Sequence, residues 1–182
     1  MGKTTLLHHL YQQLAKQSCL CSQAQGLVDN LSIFHNVFMG SLARHSSWYN
    51  IANLLSPFSK PQQQVGAICQ QLELNMPLQQ KVSELSGGQR QRVALARALF
   101  QQQPIFMGDE PFSALDPVMG VRLLNIVKQA HPNVICVLHD AELALTHFDR
   151  IIVISAGKVA LDAQAQQLSL EHLSQHYVVA DE

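Results

Sequence analysis

Leu85-Ser86-Gly87-Gly88-Gln89-Arg90-Gln91-Arg92 is the stretch on which the reading of this chain turns. Ser86 stands just ahead of a helix, so its hydroxyl and the free N–H groups of the helix N-terminus form an anion site. Gly87 and Gly88 let the backbone approach a ligand closely. The run that follows is rich in Ala, Leu and Arg and predicts a helix over residues 89–100. An ordinary serine-capped helix with a glycine turn would account for Ser86 and Gly87. It does not require the whole string together with the acids that follow it.

Those acids close the segment Pro104-Ile105-Phe106-Met107-Gly108-Asp109-Glu110-Pro111. An apolar strand ending in two acids sets its carboxylates at the strand's carboxyl end, where ligands bind in open α/β sheets. There Asp109 would serve a magnesium ion, directly or through water, as the second acidic motif of P-loop ATPases does. Glu110 would orient or deprotonate an attacking water, which needs a carboxylate within hydrogen-bond reach. The plainer alternative is an acidic turn that caps the next helix. Residues 104–108 and 134–138 suit buried parallel strands, and residues 118–130 supply the crossover helix of a βαβ unit.

Gly2-Lys3-Thr4-Thr5 has the form of the tail of a phosphate-binding loop. In such a loop backbone N–H groups cradle phosphates, a lysine reaches the β- and γ-phosphates, and a hydroxyl holds magnesium. Lys3 and Thr4 would take those two roles. The full pattern G-x-x-x-x-G-K-[ST] needs residues ahead of Met1, and a helix N-terminus with an incidental lysine explains the four residues equally well.

Elsewhere, Leu6, Leu7, Leu10 and Leu14 recur at helical spacing and predict a helix over 4–16, followed by a short buried strand over 18–23. Residues 27–84 read as mostly helical, with breaks near Ser56-Pro57 and Lys60-Pro61. Residues 151–155 and 158–161 flank Ala156-Gly157 as a hairpin. The glutamines at 62–64 and 101–103 are expected at solvated helix ends. With 182 residues, 47% hydrophobic and 14% charged, the chain reads as one globular domain. A net charge of -1 gives no footprint for nucleic acid. No apolar run is long enough to span a bilayer and no signal peptide is visible, so a cytoplasmic location is expected. Cys19, Cys21, Cys69 and Cys136 lack the paired spacing of a zinc site and are expected as buried, reduced thiols. The nine histidines lack ligand spacing and are expected mostly at the surface.

Taken together, these motifs resemble those of ABC transporter ATPase subunits. The resemblance implies an α/β P-loop NTPase (RecA-like) core with a parallel sheet, formed by 1–26 and 86–182, and an inserted helical subdomain at 27–85. It implies that Ser86, Gly87, Gly88 and Gln89 close over the γ-phosphate of ATP held at Gly2, Lys3, Thr4 and Thr5 of a second subunit, head to tail and most simply a homodimer. Ser113-Ala114-Leu115-Asp116 resembles the D-loop that crosses the dimer interface, which places Asp116 at the nucleotide. His139 resembles the switch histidine that contacts the γ-phosphate and the catalytic acid. Gln23 resembles the Q-loop glutamine that links magnesium and water to the membrane subunits. The implied cofactors are ATP and Mg2+, with Thr4, Gln23 and Asp109 around the metal and Glu110, His139 and Gln23 around the water. The implied partners are transmembrane permease subunits and a solute-binding protein, with the chain peripheral on the inner face of the cell membrane.

The chain departs from that pattern at its start. Lys3 and Gln23 are twenty positions apart, fewer than the family has, so the N-terminal antiparallel β-subdomain is expected to be largely missing. A start codon placed too late and a degenerate, non-hydrolysing cassette are the two explanations. Asn36-Val37-Phe38-Met39-Gly40, the segment Leu42-Ala43-Arg44-His45-Ser46-Ser47-Trp48 and Leu54-Leu55-Ser56-Pro57-Phe58 are similar to the helical segment of phosphonate-importer ATPases. That similarity implies import of phosphonate or a related oxyanion. A soluble, non-transport ABC ATPase is the alternative from another class.

Overall fold

The computed structural model describes residues 2–177. Helix α1 (Lys3–Leu14) buries Leu7 and leads into strand β1 (Ser18–Cys21), whose Cys19 and Cys21 are fully enclosed. The strand ends two residues short of the expected 18–23, and Ser22 and Gln23 begin the following turn. Helix α2 (Ile33–Phe38) starts where the Ser32 side chain accepts from the His35 amide. It runs into a tight helical turn at Met39–Arg44, then α3 (Ser47–Leu55) and α4 (Ser59–Gln71). The break near Ser56-Pro57 is present, whereas Lys60-Pro61 lies inside α4. Pro61 occupies the first helical turn, where its missing N–H has no intrahelical acceptor to lose. For the same reason Gln62–Gln64 sit within α4 and not at a helix end, although Gln63 and Gln64 remain exposed.

Helix α5 (Gly87–Gln101) is the axis of the molecule. Ser86 and Gln89 cap it reciprocally, and Gln102 ends it in a left-handed conformation at φ 55°. Its buried residues run from Gln91 through Phe100, and it packs against α2, α4 and β1. Phe34 stacks on Phe38 at 5.5 Å, and Phe38 meets Phe100 at 6.4 Å. Burial of each such side chain contributes about 1.5–3 kcal/mol. The helices approach so closely that a Cβ on Gly40 would lie 2.4 Å from the Arg97 carbonyl oxygen.

Strand β2 (Ile105–Asp109), helix α6 (Pro117–Ala130) and strand β3 (Asn133–Val137) form the expected βαβ unit. The sheet runs β1-β2-β3 with every pair parallel, and Cys21, Gly108 and Cys136 stand side by side in register. Helix α7 (Ala141–His147) precedes β4 (Arg150–Ser155) and β5 (Lys158–Gln164), and α8 (Leu170–Tyr177) follows. The antiparallel pair β4–β5 turns at Ala156-Gly157 and makes a two-stranded sheet of its own. Ile151, Ala165 and Leu173 form a second, small core beneath it. Among the described residues, strand β3 is therefore hydrogen-bonded to a neighbour strand on its β2 side only.

Candidate active site

All three parallel strands end at one edge of the sheet, and the loops after them carry the acids and the histidine. Glu110 follows β2 directly. Its amide donates to the Val137 carbonyl at 3.0 Å, while the Ser113 amide and hydroxyl both donate to the Glu110 carbonyl, at 3.2 and 3.0 Å. These bonds hold Glu110 at φ 51°, a left-handed conformation that a non-glycine residue adopts at a cost of about 1–3 kcal/mol. Its carboxylate oxygen lies 2.7 Å from His139 Nε2, so the ring donates from that nitrogen. Glu110 is mostly enclosed at 19% exposure, whereas His139 is open at 64%.

Gly108 makes this turn possible. A Cβ there would lie 2.5 Å from Pro111 Cγ and 2.9 Å from the Phe106 ring, so Pro111 folds back over bare backbone. Asp109, 1% exposed, accepts a hydrogen bond from the Thr4 hydroxyl at 3.2 Å. The start of α1 is thus joined to the end of β2 across 105 residues. Gly2 stands at φ 123° as the cap of α1, Lys3 is half-buried in its first turn, and Thr5 is exposed beside Thr4.

The other residues singled out by the sequence stand apart from these two pairs. The Ser86 hydroxyl accepts from the Gln89 amide at 3.3 Å, and Gln89 Oε1 accepts from the Ser86 amide at 2.8 Å. Ser86 and Gly87 are exposed, and a Cβ on Gly87 would meet nothing within 4 Å. Gly88 leans on the next loop, its would-be Cβ 3.1 Å from the Ala114 carbonyl oxygen. Asp116 is exposed and caps α6 through the Met119 amide at 2.9 Å. Gln23 is exposed in the loop after β1 and makes no hydrogen bond to Asp109 or Glu110 among the described residues. A cleft of about 520 Å³ opens beside Glu110, His139 and Asp116, with Phe112, Leu138 and Leu143 in its wall. Gly2–Thr5 do not line it.

Two glutamines of this region, Gln25 and Gln91, are given no role by the sequence. Gln25 Nε2 donates to Gln91 Oε1 at 2.8 Å, and Gln91 Nε2 donates to the Pro111 carbonyl at 2.7 Å. The signal for Gln91 was its place: it precedes Ala94 and Leu95 at helical spacing, on the face of α5 that the apolar residues bury. Cys19, Cys21 and Cys69 are buried free thiols as expected, whereas Cys136 is only half-buried. Burial pushes the thiols of Cys19, Cys21 and Cys69 up to about 12, far from the reactive thiolate.

Residues 1–113 match the family model described as ABC transporter. The chain is 36% identical over 170 residues to the phosphonates import ATP-binding protein PhnC 2 of Rhodopseudomonas palustris (strain BisA53), covering 91% of this chain and 62% of that protein. It is 40% identical over 164 residues to PhnC of Pseudomonas entomophila (strain L48), covering 87% and 61%. The chain thus spans about three fifths of the length of these relatives. Among solved structures, a transporter described as of the metal-chelate ABC type, in an inward-facing conformation, superposes with a TM-score of 0.71 at 20% identity, over 89% of this chain and 64% of that one. A dimeric ATP-binding cassette in a post-hydrolysis state with ADP and Pi superposes with a TM-score of 0.68 at 25% identity, over 84% and 66%. The motif at Ser86, the acids after β2, the fold and these matches agree, and the chain belongs to the ABC transporter family.

Proposed function

We propose that this chain is the ATP-binding subunit of an importer for phosphonate or a related oxyanion, and that it hydrolyses ATP between two copies of itself. The observation that carries this reading is the pair of contacts at the sheet edge, Thr4 with Asp109 and Glu110 with His139. In this reading Gly2, Lys3, Thr4 and Thr5 receive the phosphates of one nucleotide at the N-terminus of α1. Ser86, Gly87, Gly88 and Gln89 of the second copy cover the same nucleotide from the opposite side. The outward exposure of Ser86 and Gly87 supports that role.

The Thr4 hydroxyl and the enclosed Asp109 carboxylate are hard oxygen donors, the kind that magnesium takes. Gln23, exposed in the loop after β1, would supply a further oxygen donor. Bound there, magnesium would neutralise charge on the β- and γ-phosphate oxygens. Glu110 takes or orients the proton of the attacking water while a bond forms from that water to the γ-phosphorus and the bond to ADP breaks. His139 fixes the Glu110 carboxylate through Nε2. Positioning and charge stabilisation supply most of the rate in such transfers.

No helix among the described residues is long and apolar enough to cross a membrane. On the role of the relatives as import ATP-binding proteins, membrane attachment is assigned to permease subunits that carry the solute, with this chain on their cytoplasmic side and a solute-binding protein on the other. The exposed Trp48, Ile51 and Leu55 of α3 offer such subunits an apolar face. Glu110→Gln, measured as ATP turnover of the complex with its permease, should lower the rate by about 10²-fold or more. Unchanged turnover would remove Glu110 from the chemistry. Purification without any membrane subunit, with ATPase activity retained, would instead favour a non-transport role.

A further inference from the structure

We infer that Gln91 is a positioning residue for Glu110, the central link of a hydrogen-bonded chain running from the loop after β1 through α5 to the turn after β2. The inference rests on the reading of Glu110 as the residue that handles the attacking water. Gln91 is 3% exposed on a helix face that it shares with the buried Ala94, Leu95 and Ala98. A buried amide on such a face is costly unless both of its ends are bonded. Here both are: Oε1 accepts from Gln25 Nε2 and Nε2 donates to the Pro111 carbonyl. Gln25 Oε1 accepts in turn from Arg90 Nε at 3.4 Å. Arg90 is paired with Asp29 at 2.7 Å and donates to the Val82 carbonyl at 3.3 Å. Each link from Arg90 onward runs donor to acceptor in the same sense, so the amide dipoles reinforce one another.

Both ends of this chain meet strained backbone. Gln25 stands at φ 59° and Glu110 at φ 51°. Arg97 clamps the loop after β1 by donating to the carbonyls of Gln25 and Gly26. The bonds on Glu110 from Ser113 close the turn on itself, and the bond to Val137 ties it to β3. Gln91 ties the same turn to α5, the helix that begins at Ser86, and through Gln25 and Arg90 to Asp29 and Val82 in the helical segment. Glu110 is thereby held in place by the helix that presents Ser86 and Gly87 to the second copy.

Amide hydrogen exchange on the whole chain, together with ATP turnover of the permease complex, tests this. Gln91→Leu removes both bonds at similar volume, and Gln91→Glu removes the donor to Pro111. Both should speed exchange at the Ser113 and Leu115 amides about tenfold or more while Phe106 and Met107 keep their protection. Both should lower kcat roughly tenfold to a hundredfold with KM for ATP nearly unchanged, as misplacement of a reacting group does. Gln25→Leu, a milder change in a half-buried loop residue, should act in the same direction and add nothing to Gln91→Leu. Unaltered exchange over 110–115, or effects of Gln25→Leu and Gln91→Leu that simply add, would overturn the linkage. Faster exchange with full turnover in Gln91→Leu, while Glu110→Gln is inactive, would overturn the positioning role alone. Full turnover in Glu110→Gln would overturn the underlying reading, and the positioning role with it.

Discussion

Gly108 and Glu110 make opposite demands on the backbone within three residues. The first has no side chain because Pro111 occupies the space, and the second keeps its side chain in a conformation that favours glycine. Gly108→Ala should force Pro111 and the Glu110 turn outward. A loss of about 1–3 kcal/mol is expected from such overpacking, read as a lower thermal midpoint, together with a fall in ATP turnover. His139→Ala removes the contact to Glu110 but touches little else, because the ring is 64% exposed. Turnover should fall by about 10²-fold with the thermal midpoint unchanged, which separates a chemical role from a structural one. At this scale much was legible in the sequence. The types at Ser86, Asp109 and Glu110 each answer a local requirement of cap or carboxylate, whereas nothing in the structure requires a glycine at Gly87. The left-handed Glu110 was not legible, because its strain is imposed by Val137 and Ser113 and by no residue type of its own. Nor was the Gln25–Gln91–Pro111 chain, whose members lie 66 and 20 positions apart.

Helix α5 carries two duties at one end. Ser86 caps the helix through the Gln89 amide and, in the proposed dimer, faces the nucleotide of the second copy. Two substitutions separate them. Ser86→Ala loses the cap and should cost about 0.5–2 kcal/mol in urea unfolding. Ser86→Asp keeps a capping oxygen and the favourable helix dipole, so stability should hold. Its negative charge at the proposed phosphate site should nevertheless abolish turnover. Equal turnover in Ser86→Asp and the parent would break the assignment of this end to the nucleotide. At the opposite end of the element, Gly40→Ala would press a Cβ against the Arg97 carbonyl and should destabilise by a similar amount, with no mark on the chemistry. The sequence located α5, α6 and the three parallel strands to within one or two residues, since their apolar runs and punctuation agree. It misplaced a break at Pro61, because a proline is permitted in the first turn of a helix and forbidden further in.

For the molecule as a whole, a pH dependence of stability is expected from one residue whose burial the sequence did not signal. His131 follows α6, is 2% exposed, and donates from Nδ1 to the Gln103 carbonyl at 2.7 Å. Its Nε2 is buried with no partner among the described residues. Burial holds its pKa below the ordinary 6.5, against a smaller opposing effect of the Gln103 carbonyl. The unfolded chain therefore takes up this proton first as pH falls. The stabilisation is complete above about 6.5 and is lost as pH drops from there through the folded value, by at most about 1.4 kcal/mol per pH unit. Urea midpoints at pH 7 and 5.5 should differ less in His131→Gln than in the parent, after allowance for its lower overall stability.

Strand β3 has one side hydrogen-bonded to β2 and the other bonded to no strand among the described residues, with no charged residue along Asn133–Val137 and Ile135 39% exposed. Such a rim is a template on which a further chain can crystallise its own backbone, and proteins ordinarily guard it with lysine, proline or a bulge. Concentrated solutions of this chain should accordingly gum together through intermolecular β-structure, seen as growing light scatter and a rising amide I β signal. Ile135→Lys should quiet both without disturbing the sheet edge that carries Asp109 and Glu110.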